Sequence, residues 1–218
     1  MLTRCRFTGE TFKLRVGPRI GCEEFSVHEV VLKETSGFFQ AVVKKEWKEG
    51  SERVIELPED TPEVVSAYVD WLYSDKIFPR TGELPADAVM HARESDHLAK
   101  LYVFGEKNQD DAFCDAVITA WARHLDTKIA GKYYYFASDC IASLYAGTSS
   151  SSPARKFVVQ LFVKYGRKQW LQNDETFMRV GLLDFFRDVA IEQFKEVGSV
   201  RAQSDVIFDR RREWFKQK

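Results

Sequence analysis

The sequence predicts an α+β fold that is mostly α. A small three-stranded sheet caps a helical cluster, and an all-α C-terminal extension follows. Three observations lead there. "TFKLRVG" (11–17) alternates Phe12, Leu14 and Val16 with Thr11, Lys13 and Arg15, the period of a half-buried strand. The elements then run strand, strand, helix, helix, strand, and helices to the end. Three short strands are too few for a doubly wound sheet, so a sheet set on a helical bundle is the economical arrangement.

Each element has a local reason. "PRIGCEE" turns the chain through Pro18 and Gly21, and "EFSV" returns as the partner strand. Ser26 is placed to cap a helix starting near Val27, with Glu29 in its first turn, where the helix dipole favours an acid. Ser36 caps the next helix, whose Phe39, Val42 and Val43 fall at helical spacing. "KKEWKEGSE" reads as a charged surface loop carrying Trp47. "RVIEL" (53–57) is a short strand expected to bury Val54 and Leu57. Thr61 precedes Pro62, whose missing N–H costs nothing at a first helical position, and Val64, Tyr68, Trp71 and Leu72 share one face. Residues 80–95 are weakly patterned. Two helices are expected between Asp96 and Arg123, divided near Asn108.

The second half shows no strand pattern. Its "KIAGKYYYFASDCIASLYAG" is aromatic and partly helical, and a helix is expected from Pro153 onward. Residues 174–197 place Met178, Leu182, Phe185 and Val189 on one side, with Arg187, Asp188, Glu192 and Lys195 on the wet face. A last helix is expected from Ala202 to Phe215. "TSSSSP" (148–153) reads as a flexible connector, with Ser152 before Pro153 as the candidate phosphorylation site.

The 218 residues are 44% apolar and 30% charged, with a formal net charge of -1, an ordinary globular balance. Such neutrality argues against nucleic acid as the main partner. In the basic end "RRREWFKQK", the arginines have Asp205, Asp209 and Glu213 at pairing distance along a helix. No stretch approaches the ~20 apolar residues of a membrane span, and no signal peptide is expected from "MLTRCRFTGE". Cys5, Cys22, Cys114 and Cys140 have no CxxC spacing, which suggests free thiols in the cytoplasm or nucleus. Neither GxGxxG nor GxxxxGK[ST] occurs, so no nucleotide cofactor is expected.

"FSVHEVVLKETSGFF" resembles the F-x-V-H-x-x-x-L-x-x-x-S-x-x-F segment of BTB/POZ domains. "RVIELPEDTPEVVSAYVDWLYSDKI" is similar to that family's third strand and following helix, and "LAKLYVFGEKNQDDAFCDAVI" to its fourth and fifth helices. "IASLYAGTSSSSPARKFVVQLFVKYG" resembles the helical tail of short fungal BTB proteins. The resemblance implies a BTB/POZ domain over residues 1–125 and a helical region over 126–218. It further implies that His28 is a structural corner at the start of the first helix, partly buried and hydrogen-bonded. In BTB–zinc-finger repressors a basic residue commonly follows this histidine and an aspartate opens the first strand. Here Glu29 follows, and Glu10 and Thr11 open the strand, which argues against corepressor-type binding. No zinc-finger spacing is present.

The function this implies is non-enzymatic protein–protein interaction, through a scaffold or a cullin-type ubiquitin-ligase adaptor, with a homodimer through the helical hairpin as a further option. Candidate contacts are Val30, Phe38, Trp47 and Glu49. "WKE" resembles the apolar-x-Glu segment by which BTB adaptors grip a cullin, an apolar anchor followed by an orienting acid. The alternative is a small hydrolase or metal-dependent enzyme using His28, or His91 with His97. That pair is six residues apart, whereas helix-borne ligands normally sit three or four apart. No catalytic, cofactor-binding or metal-ligating residue is assigned.

Overall fold

The computed structural model describes residues 9–44, 48–173 and 182–198. It divides into two compact units, residues 1–155 and 156–218.

The first unit opens with β1 (Thr11–Val16), whose Phe12, Leu14 and Val16 are all but inaccessible while Thr11 and Lys13 stay in water. Gly17 and Gly21 take positive φ and turn the chain, so that β2 (Glu23–His28) returns antiparallel with Leu14 opposite Phe25. β3 (Val54–Leu57) joins the other edge in parallel, with Leu14 opposite Ile55. The order β2-β1-β3 makes the first strand the central one. On the outer face Arg15 donates to Glu24 at 2.8 Å and to Glu56 at 3.3 Å, across all three strands.

Parallel pairing needs a crossover, and three short helices supply it: α1 (Glu29–Lys33), α2 (Gly37–Val42) and α3 (Lys48–Glu52). Ser36 caps α2 as its position suggests, accepting from the Phe39 N–H at 3.1 Å. Ser26 does not cap α1. It lies within β2 opposite Lys13, and pairing continues through Val27 to His28 before the helix begins. Val27 becomes fully buried on the sheet's inner face, which favours two more strand residues over an earlier helix start. The buried residues of β3 are Ile55 and Leu57, and Val54 is only half-buried.

α4 (Pro62–Ser74) starts at Pro62 and buries Val64, Tyr68, Trp71 and Leu72 as its spacing requires. α5 (Ala88–Lys107) begins well before Asp96 because Asp87 caps it, accepting from the Met90 N–H at 2.8 Å. α6 (Asp111–Leu125) is capped by Asp110, whose other oxygen accepts from the buried Tyr68 hydroxyl at 2.7 Å. Tyr68 is ringed by Phe39, Trp71, Phe104 and Phe113, with centroids 4.9–5.9 Å away.

Beyond position 125 the compact unit continues. A small hairpin, β4 (Lys128–Ile129) and β5 (Lys132–Tyr133), turns through Ala130 and Gly131, both at positive φ. This pair lies where no strand is expected, since two-residue strands leave no periodic trace. α7 (Ser138–Gly147) then packs on α5, burying Cys140, Ile141 and Leu144. The serine-rich stretch is a packed turn rather than a free connector. Glu106 accepts from the Ser149 N–H at 3.0 Å and from the Ser152 hydroxyl at 2.5 Å, and Ser152 is 2% exposed. Buried Arg155 donates to the carbonyls of Tyr145, at 2.7 Å, and of Thr148, and stacks over the Tyr145 ring.

α8 (Pro153–Tyr165) leads into the second unit, which also holds α9 (Lys168–Asn173) and α10 (Leu183–Gly198). There Phe162 meets Trp170 and Phe185 at 5.8 and 5.1 Å. Leu182 and Phe185 are buried as expected, whereas Val189 is half-buried. Met178 and the helix expected over 202–215 lie outside the described residues.

Candidate interaction surface

Three of the four contact candidates lie on the crossover helices. On α1, Val31 and Leu32 point into the core and Val30 stays 36% exposed. On α2, Phe39 is buried and Phe38 half-buried, the two rings meeting edge to face at 5.1 Å. Glu49 is half-exposed in the first turn of α3. Trp47 lies outside the described residues.

Beside α1 sits an ion-pair cluster that sequence reading missed. Arg53 donates to Glu29 at 2.8 Å and to Glu10, and its guanidinium lies 5.2 Å from the Phe12 ring centroid. Lys33 also pairs with Glu29, and its hydrogen bond, aided by Arg53, holds that carboxyl below the usual range. Glu29, which stands where the repressors carry a base, is thus answered by Arg53, the residue just before β3. Spacing alone does not connect residue 53 to residues 10 and 29. The parallel pairing of β1 with β3 does so.

His28 and His124 are engaged in structural hydrogen bonds, while His91 Nε2 is buried without a hydrogen-bond partner among the described residues. His28 occupies the N-cap position of α1 without a side-chain capping bond. Its Nδ1 lies 2.7 Å from the Tyr73 hydroxyl, which also accepts from the His28 N–H at 3.0 Å. One hydroxyl thus meets both the backbone and the ring of His28 at the corner. His91 and His124 stack with centroids 3.8 Å apart. His124 Nε2 lies 3.1 Å from the His91 carbonyl and 3.1 Å from the Ser95 hydroxyl. A carbonyl requires a donor, so that nitrogen carries the proton and does not activate Ser95, which is itself fully buried. Burial pushes His124 down to about 4, with His91 adding to the effect, and burial lowers His91 as well. His97 faces a separate cleft, so His91 and His97 are not brought together. Burial pushes the Cys114 thiol up to about 12 and raises Cys140 further. Both are inert thiols by the rule that thiolate is the reactive form. Among the described residues, no group of three or more His, Cys, Asp or Glu could hold a metal ion.

What this molecule offers, then, is a small sheet-capped helical fold with apolar side chains and ion pairs on a helical crossover. Residues 14–98, from the middle of β1 to the middle of α5, match the family model of the BTB/POZ domain. A BTB/POZ domain is a protein–protein interaction module and often homodimerises. No curated protein matches the chain.

Proposed function

We propose that the chain is a non-enzymatic adaptor or scaffold of the cytoplasm or nucleus, holding partner proteins through α1, α2 and the segment at Trp47 and Glu49. One observation carries this reading: Val30 remains exposed and Phe38 half-exposed on helices that turn Val31, Leu32 and Phe39 into the core. Large apolar groups left at a surface beside ion pairs are what a partner covers first. The finer reading is a substrate adaptor for a cullin-type ubiquitin ligase, with Trp47 as the apolar anchor and Glu49 as the orienting acid. A homodimer through the same hairpin is part of the proposal, as is the likeness of the C-terminal region to the tails of short fungal BTB proteins.

Affinity purification of the full chain from native lysate, with identification of what is retained, tests it. A cullin is expected with the wild type and not with Trp47→Ala combined with Glu49→Ala, while circular dichroism of that variant is unchanged. A wild type that never retains a cullin removes the ligase reading. A chain that is monomeric by light scattering and retains no protein at all removes the scaffold reading too.

A further inference from the structure

A cleft of about 380 Å³ opens between α4, residues 78–81 and α5. One wall carries Glu63 and Asp70 from α4, another Phe78, which is 49% exposed, and the cleft reaches His97, which is only 6% exposed. Two of its polar groups are unused. Neither the Asp70 carboxylate nor the His97 imidazole has a hydrogen-bond or ion-pair partner among the described residues. His97 lines the cleft without a hydrogen bond to another described residue, so its imidazole is available to a group that enters.

The chemistry of the walls selects that ligand. Two carboxylates face one guanidinium, and that one, Arg80, is already paired with Glu63 at 3.5 Å, which leaves the Asp70 charge unanswered. Burial, reinforced by Arg80, holds His97 below the ordinary imidazole value, so at neutral pH it presents a lone pair as well as an N–H. Phe78 offers a face on which an aliphatic stem or a flat cation can lie. A donor-rich cation satisfies all three features at once. The fork of a guanidinium suits separated acceptors better than the compact ammonium does.

We propose that this cleft docks a basic side chain, arginine before lysine, presented by a partner polypeptide. The proposal does not depend on the α1–α2 surface, and its test is separate. The ¹⁵N-labelled full chain is titrated with the blocked tripeptide acetyl-Gly-Arg-Gly-amide, and with the same peptide carrying lysine, norleucine or glutamate. The arginine peptide is expected to shift the His97 ring signals with a Kd of about 1 mM, lysine binding more weakly. Asp70→Asn, at an exposed position, weakens arginine binding by roughly tenfold. Val30→Ala leaves it unchanged. No shift at His97 overturns the proposal. So do equal shifts with norleucine, tighter binding of glutamate, or an Asp70→Asn variant that binds arginine as the wild type does.

Discussion

Tyr73 shows how much of the corner at His28 is decided by one hydroxyl. The motif "FSVHEVV" makes the histidine legible, because a strand running straight into a helix needs a residue that ties off the junction. The tyrosine that holds it, 45 residues away, has no local signature. The same holds for His124, which reads as an isolated histidine until α5 and α6 pack and stack it on His91. That pair sets a pH dependence whose sign is fixed. The folded protein holds His124 near 4, against an ordinary value of 6.5, so the unfolded chain takes up protons first as pH falls. Stability is therefore intact above about pH 6.5 and is lost progressively down to about pH 4, on the order of 1–2 kcal/mol by pH 5. Glu94 works in the opposite direction, because burial raises its carboxyl and the folded form takes that proton more readily. Urea midpoints at pH 7 and pH 5 measure the net effect, and the variant His124→Gln isolates the histidine part by flattening the decline.

Elements were legible where their buried face is apolar. β1, α4 and the capped start of α2 follow directly from the spacing of Phe12, Leu14 and Val16, of Val64, Tyr68, Trp71 and Leu72, and from Ser36. α5 was half hidden for a physical reason: the face it buries in its first two turns is His91, Glu94 and Ser95, which a hydropathy pattern scores as wet. Glu94 is held there by the Arg80 N–H, which donates to its carboxylate at 3.0 Å. What announces this helix is its cap, not its periodicity. Asp87→Ala is accordingly expected to lower stability by about 1 kcal/mol, the usual worth of a capping carboxylate, read as a shift in the denaturation midpoint. The β4–β5 hairpin was hidden differently, since an Ala–Gly turn is a weak signal and each strand has two residues. At the proposed contact surface, Val30 and Phe38 were readable as apolar residues, but only the packed helices separate them from Val31, Leu32 and Phe39.

For the whole molecule, the first compact unit runs through α7. The resemblance implies a first domain ending at residue 125; the first compact unit runs to Arg155, and within it α7 covers α5 with Cys140, Ile141 and Leu144. Ile141 and Leu144 each contribute roughly 1.5–3 kcal/mol when fully buried. A chain ended at Leu125 is expected to lose cooperative unfolding, and a chain ended at Tyr165 to keep it, as thermal melts followed by circular dichroism will report. The β2-β1-β3 order carries a consequence for synthesis. The strand made first takes the middle place, and its second neighbour is not translated until some forty residues later. While the ribosome makes the three intervening helices, the nascent hairpin shows one bare backbone edge at Lys13–Val16, open to any passing β-strand until Val54–Leu57 emerges and closes it.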